Sequence, residues 1–354
     1  MKKKGGTLTK AAALAHELNA ALGTDIKLGN DESFEIIRIP TGSLVMDRIT
    51  GGGFALGRHV ELYGDENVGK SYIALRTMAL AQSRGRTCAM VDAEHSFDPA
   101  WFKHIGGKPK ELITFQPNNA EDAVAAMMML AKHAEEKEIE IISIDSVASL
   151  VTTEEINKDP RETDRIASQA RMMSRALRRL TAVTTNTLFI WINQERVNVG
   201  VSFGNPKTTS GGRALRYYAT TRIEMRRGTR ITEERDVARG GKIVKGKVQI
   251  GRWIQLRCEK DKSTRPFREG SFIFDNDRSE ISLPSEIIEL GLVDGLIERK
   301  GNSYVYTDLD DKQWKGTYKQ FSNFLRKNED LVTELVADIT DITVNESTME
   351  ADSG

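Results

Sequence analysis

Cysteine is nearly absent from this 354-residue sequence: Cys88 and Cys258 are the only two, and no C-x-x-C pair occurs. That excludes a zinc ribbon and points to a reducing compartment. No apolar run approaches the length of a membrane span. The basic start, Met1-Lys2-Lys3-Lys4, leads into a mixed Ala/Leu/His/Glu segment rather than an apolar signal core, so a cytoplasmic protein with no membrane partner is expected. Net charge is missing too, with 51 Lys and Arg against 51 Asp and Glu, so only the distribution of charge can speak about partners. That distribution is uneven. Residues 205–268 hold 18 Lys and Arg against 6 Asp and Glu, whereas no Lys or Arg follows Lys327 while acids continue to Asp352. The remaining composition, 39% hydrophobic and 29% charged, is that of a globular chain long enough for a large domain and a small one.

Against these absences one stretch carries chemistry. Gly64-Asp65-Glu66-Asn67-Val68-Gly69-Lys70-Ser71 reads G-x-x-x-x-G-K-S, the pattern of a phosphate-cradling loop. An apolar run precedes it at residues 59–63 and a helical pattern follows at 72–83, which is the setting such a loop requires. Glycine lets the backbone close around phosphates, and the following helix turns its positive end to the anion. Lys70 is expected to reach the β- and γ-phosphates and Ser71 to ligate Mg²⁺, with Tyr72 completing the nucleotide-binding set.

The rest of the chain is organised around that loop. Residues 7–22 carry Ala12, Leu14, Leu18 and Leu22 on one helical face, ended by Gly23. A helix this short is marginal alone, so it must dock either on its own domain or on a neighbouring subunit. From residue 39 to about 225, strands and helices alternate, predicting an α/β fold with a mostly parallel twisted sheet flanked by helices. The runs at 139–146 and 187–194 suit central strands buried on both faces, while 219–227 and 252–260 alternate enough to be antiparallel or at an edge. Met127 to Met129 read as core filling. After Pro284 a small α/β unit is expected. The predicted division is 1–34 (helix and linker), 35–284 (ATPase core), 285–340 (small C-terminal domain) and 341–354 (an acidic, disordered tail).

Several polar residues fall where sheet-edge chemistry belongs. Asp145 ends an apolar strand and is placed to complete a Mg²⁺ shell with Ser71. Glu94, in Asp92-Ala93-Glu94-His95, is the candidate general base, with His95 a weaker one. Gln194 ends another strand and suits a γ-phosphate sensor. Two long, poorly periodic segments, 152–165 and 195–212, are read either as grips for a polymer ligand or as solvated surface loops. Arg171, Arg175, Arg178 and Arg179 recur at helical spacing without acids four residues on, a stripe that fits a phosphate backbone.

These motifs, taken with I-P-T-G-S-L at 39–44, V-D-A-E-H, I-D-S-V-A-S-L, A-R-M-M-S-R-A, I-N-Q, F-G-N-P-K-T-T-S-G-G and A-L-R-Y-Y-A, resemble the bacterial RecA recombinases and their phage relatives. The likeness runs in order over residues 39–227 and leans to a phage-type member. It implies a helical homo-oligomeric filament on single-stranded DNA that pairs it with double-stranded DNA and hydrolyses ATP with Mg²⁺. It makes Glu94 the catalytic glutamate and Gln194 the switch. Lys260 and Lys262 would reach the neighbouring subunit's γ-phosphate, Tyr217 would lie at the subunit interface, and the N-terminal helix would dock on the next protomer. The two loops become DNA-binding, with Arg165, Arg171, Arg175, Arg178, Arg196, Val199, Phe203, Asn205, Lys207, Thr208, Thr209, Ser210, Gly211, Gly212 and Arg213 as their candidate contacts. Single-strand-binding and mediator proteins are further partners the resemblance suggests, in a bacterial cell or phage-infected host. Pro284 stands where many relatives carry an adenine-stacking tyrosine. Two other readings stay open on the same core: an accessory protein that coats DNA without exchanging strands, and a hexameric DNA helicase.

Overall fold

The computed structural model of the chain describes residues 9–134, 136–158, 165–183, 186–197, 207–239, 242–308 and 311–352. It divides into two units, Met1–Ile37 and Arg38–Gly354. In the first, helix α1 (Lys10–Leu22) is capped by Thr9, whose hydroxyl accepts from Ala12 N–H, and is closed by Gly23 in the left-handed conformation (φ 61°). No residue of α1 is buried, and Leu14, Leu18 and Leu22 are exposed.

The second unit begins with β1 (Arg38–Ile39), α2 (Leu44–Ile49) and β2 (Phe54–Ala55). Strand β3 (His59–Gly64) then runs into α3 (Lys70–Ser83). The alternation continues through β4 (Thr87–Asp92), α4 (Pro99–His104), β5 (Leu112–Phe115), α5 (Ala120–Lys132), β6 (Ile139–Asp145), α6 (Thr153–Asn157), α7 (Arg165–Val183) and β7 (Leu188–Val197). Short β8 (Lys207–Thr209) and α8 (Ala214–Tyr218) lead into the long pair β9 (Thr221–Arg239) and β10 (Lys242–Asp261), followed by β11 (Glu269–Asp275) and β12 (Glu280–Ile281).

The large sheet has the order β12-β11-β10-β9-β3-β7-β6-β4-β5, with β8 on β7. From β9 to β5 every neighbour is parallel; β10, β11, β12 and β8 join antiparallel. The parallel strands are buried on both faces because helices cover both: α3 and α4 on one, α5 and α7 on the other. Of the methionine run only Met127 is fully buried and Met129 is 65% exposed, since successive helical residues turn to different sides.

The end of the chain adds α9 (Leu283–Val293), the antiparallel sheet β13 (Ile297–Lys300), β14 (Ser303–Thr307) and β15 (Gln313–Gly316), then α10 (Tyr318–Lys327) and α11 (Glu329–Asp352). Pro284 is buried in the first turn of α9, where the ring costs no helical hydrogen bond. Two expectations change here. Residues 341–352, expected to be irregular, continue helix α11, whose earlier turns pack Val332, Leu335, Val336 and Ile339 on the core and whose Thr343 is buried. Arg48 then clamps it, pairing with Asp294 through two contacts of 2.7 Å and donating to Thr343 Oγ1 at 2.7 Å. The segment at 152–165 is not wholly irregular either: Thr152 caps the helical turn α6 through its hydroxyl, which accepts from Glu155 N–H. Among the described residues no helix is long and apolar enough to cross a membrane.

Candidate nucleotide and DNA site

Strand register gathers the polar residues singled out in the sequence. Gly64 of β3 pairs beside Gln194 of β7, and Asp92 of β4 beside Asp145 of β6, so all stand at the carboxyl ends of adjacent parallel strands. That end of an open α/β sheet is where ligands bind.

The phosphate loop is shaped by sterics. Gly64 has φ 132°, and a Cβ there would sit 2.1 Å from the Met225 carbonyl oxygen, so no side chain fits. Gly69 (φ 85°) and Asn67 (φ 54°) supply the remaining left-handed turns. Val68 is buried and anchors the loop from within, while Glu66 and Asn67 are exposed at its tip. Asp65 accepts from Arg227 N–H at 2.9 Å, tying the loop to β9. The first N–H groups of α3, at Lys70, Ser71 and Tyr72, point out of the helix end, where an anion would satisfy them. The Tyr72 ring itself turns away: it is 6% exposed and stands edge-on to Phe274, so this residue serves the loop through its backbone.

Lys70 folds onto its own loop, donating to the Gly64 carbonyl at 3.4 Å and to the Asp65 carbonyl. Burial holds its ammonium below the usual lysine range, opposed by the nearby carboxylates of Asp145, Asp65, Glu94 and Glu66. Asp145 is 3% exposed, and its burial raises the carboxyl to about 6 even though the Ser71 hydroxyl hydrogen-bonds to it. Two hard oxygen donors thus meet at the head of α3 beside a concentration of negative charge, a donor set that fits a divalent cation.

Glu94 is exposed in the turn after β4, and Ala93 N–H and Glu94 N–H both donate to the Asp145 carbonyl (2.7 and 3.1 Å). Its Oε1 accepts from Ser146 Oγ at 2.5 Å, from Gln194 Nε2 at 3.2 Å and from Ser149 Oγ at 3.4 Å. The candidate base and the candidate sensor therefore touch directly. Asp92 has a different job: buried, it accepts from Ser96 N–H, Phe97 N–H and Gln116 Nε2, which fixes the turn that carries Glu94.

Beside this site a buried polar chain escaped the sequence reading. Glu61 accepts from Arg222 Nε at 2.5 Å and from Asn193 Nδ2 at 2.9 Å, and Asn193 Nδ2 also donates to the Ser210 carbonyl at 3.0 Å. Asn193 Oδ1 accepts from Gln194 N–H at 2.9 Å, and the Arg222 guanidinium lies 4.5 Å over the Tyr63 ring. The available signal was Glu61 inside H-V-E-L-Y and Asn193 inside F-I-W-I-N: a polar residue in a doubly buried strand must be paired.

The arginines form the expected stripe. Met173, Leu177 and Leu180 bury the inner face of α7, leaving Arg171, Arg175, Arg178 and Arg179 exposed; Arg171 lies 3.7 Å from Glu154. The stem of the second loop returns through exposed Thr208, half-buried Thr209, buried Ser210 and Gly211, then Gly212 and exposed Arg213. A polar cavity of about 290 Å³ opens at this stem, lined by Tyr63, Glu195, Thr209, Arg213 and Arg222 among others. Val199, Phe203 and Asn205 lie outside the described residues, as do the side chains of Arg165, Arg196 and Lys207.

Three residues remain at a distance. Tyr217 is 64% exposed on α8. Lys260 Nζ donates to the carbonyls of Arg216 (2.8 Å) and Tyr217 (3.1 Å); burial, with Lys262 and Arg222 nearby, lowers it to about 8. Lys262 is exposed beyond it.

The amino-acid sequence matches a known family. The model for the RecA N-terminal domain matches residues 10–275. Protein RecA of Rickettsia africae (strain ESF-5) is 37% identical over 353 residues, 97% of each chain. Protein RecA of Rickettsia bellii (strain RML369-C) is 38% identical over 340 residues, 94% of each, and that of Rickettsia prowazekii (strain Madrid E) is 37% identical over 348 residues, 95% of this chain and 96% of the relative. A likeness of this length, laid over a sheet that aligns a phosphate loop with its neighbouring strand ends, means that the chain belongs to the RecA family of nucleotide-binding DNA recombination and repair proteins.

Proposed function

We propose that the protein is an ATP-dependent recombinase that assembles as a helical filament on single-stranded DNA and exchanges its strand with a homologous duplex. The direct contact between Glu94, in the turn after β4, and Gln194 of β7, 3.2 Å across the end of the intervening β6, is the observation that carries this reading. It supports a general base whose freedom depends on where the sensor points. Residues 64–72 bind the nucleotide; Lys70 draws charge from the β- and γ-phosphates, and Ser71 with Asp145 would hold Mg²⁺, which when bound supplies charge neutralisation at the phosphates. Glu94 orients the attacking water and takes its proton. Gln194 exchanges its hydrogen bond to Glu94 for one to the terminal phosphate, and β7 conducts that change to the second DNA loop.

Residues 152–165 and 195–211 are the DNA loops in this reading, with Arg171, Arg175, Arg178 and Arg213 facing the backbone. Lys260, Lys262 and Tyr217 act across the subunit interface, so a complete nucleotide site needs two protomers, and α1 docks on the next copy through its exposed leucines. Residues 1–34 then serve assembly, 35–284 the ATPase core and 285–340 a C-terminal domain, with the working location the cytoplasm. A strand-exchange assay with the Lys70→Ala protein tests the whole scheme. Pairing is expected to be lost, and normal pairing without Lys70 would sink it.

A further inference from the structure

Gln169 stands on α7 among the arginines and has no part in the scheme above. Its half-buried amide is used at both ends. Nε2 donates to the carbonyls of Val147 and Leu150, each at 2.9 Å, and Oε1 accepts from Gly211 N–H at 3.2 Å. Two acceptors against the nitrogen and one donor against the oxygen leave a single sensible orientation of the amide. These partners are 22, 19 and 42 residues away in sequence. They belong to different functional segments.

Val147 opens the short helical turn that leads into the first loop and Leu150 caps it, and Ser146 and Ser149 beside them are the hydroxyls on Glu94 Oε1. Gly211 closes the stem of the second loop, one residue after Ser210, whose carbonyl Asn193 holds. The stem has little slack. A Cβ on Gly211 would lie 2.9 Å from Val147 Cγ1, and one on Gly212 would lie 2.7 Å from Ala170 Cβ. The helix itself has no need of glutamine here, since alanine or leucine would serve its propensity as well or better.

We propose that Gln169 is a positioning residue that couples the roots of the two DNA loops to each other and, through the Ser146–Ser149 turn, to Glu94. This rests on reading 152–165 and 195–211 as the DNA loops. A displacement of either root must break a Gln169 hydrogen bond or carry the other root with it. DNA seated on one loop is thereby felt at the other and at the hydroxyls that hold the glutamate.

Two variants separate coupling from mere structure. Gln169→Ala removes every bond; Gln169→Glu keeps the acceptor for Gly211 N–H but loses both donors. In hydrogen exchange on the protein without nucleotide or DNA, Gln169→Ala is expected to raise exchange of residues 146–151 and 208–213 together, about fivefold, with 87–92 unchanged. Gln169→Glu should loosen 146–151 alone. With oligo(dT), stimulation of ATP hydrolysis over the DNA-free rate should fall about tenfold in both variants, while oligo(dT) affinity by anisotropy changes less than about threefold. Undiminished stimulation, or exchange that rises in neither segment of the alanine variant, overturns the proposal. Should Gln169→Ala not fold, the glutamate variant carries both readouts. If oligo(dT) fails to stimulate the unmodified protein, the recombinase reading falls, and the exchange experiment still decides whether Gln169 couples the two roots.

Discussion

Single side chains decide the chemistry at the strand ends. Among the described residues, two hydroxyls and one amide hold Glu94, all on Oε1. Glu94→Gln is expected to lower DNA-dependent ATP hydrolysis by roughly 10²- to 10³-fold in single-turnover kinetics while nucleotide affinity stays unchanged. A second pair of carboxyls lies away from the site. Asp47 accepts from Thr41 N–H and Oγ1 (2.8 and 2.7 Å), and Glu286 accepts from Ser43 Oγ and Val45 N–H. Burial, partly offset by these hydrogen bonds, raises both to about 7. A raised folded-state pKa means that the folded protein holds protons the unfolded chain has released, so stability is fullest at low pH and drains as pH climbs from the free-carboxyl range through about 7. Glu286→Gln removes one of these losses. Urea midpoints of variant and parent should agree near pH 4.5, and the variant should gain on the parent by pH 8; a gap independent of pH would refute the assignment.

At the scale of elements, α7 does two jobs with its two faces. Its inner residues Met173, Leu177 and Leu180 are fully buried, so the helix cannot rotate without emptying the core beneath β7. The arginines are therefore fixed in direction. Removing Arg175, which faces solvent, should weaken single-stranded DNA binding without sequence preference. It should also reduce the slope of log affinity against log salt by about 0.7, one phosphate contact on a single strand. An unchanged slope would take Arg175 off the DNA path. The clamp on α11 is the opposite case, a buried cation serving structure. Arg48 and Asp294 have side chains 9% and 3% exposed, so Arg48→Ala strands a buried carboxylate and should cost about 3 kcal/mol in denaturant unfolding. A loss below about 1 kcal/mol would show that the pair adds little beyond its surroundings.

At the scale of the whole molecule, the proposed recombinase would complete its nucleotide site only between two copies. Lys260 lies at the carboxyl end of β10 and Lys262 just beyond it, with exposed Tyr217 beside Lys260, and the leucines of α1 are exposed. If these lysines act on a neighbour's nucleotide, two inactive proteins, Lys70→Ala and the double Lys260→Ala, Lys262→Ala, should complement when mixed. Random assembly leaves about a quarter of interfaces with both halves intact, as the heterologous geometry of a filament requires. No recovery of DNA-dependent hydrolysis in the mixture would place the lysines within their own subunit's site or outside any site.

The phosphate loop, the parallel sheet and the arginine stripe are written in local pattern, because glycine spacing, continuous branched runs and helical periodicity each act over a few residues. That is why Gly64 to Ser71, Asp145 and Gln194 could be singled out from the chain alone. Partnership was not written there. Nothing local to Gln169 says that its amide meets Gly211, 42 residues away, and nothing in H-V-E-L-Y says that Glu61 waits for Arg222, 161 residues on. The same holds for the acidic end, whose composition reads as unfolded until Arg48, 295 residues earlier, meets Thr343. The sequence by itself determined which groups could touch a phosphate. Tertiary structure alone decided which buried polar groups must satisfy one another, since desolvation penalises an unpaired group wherever its partner lies in the chain.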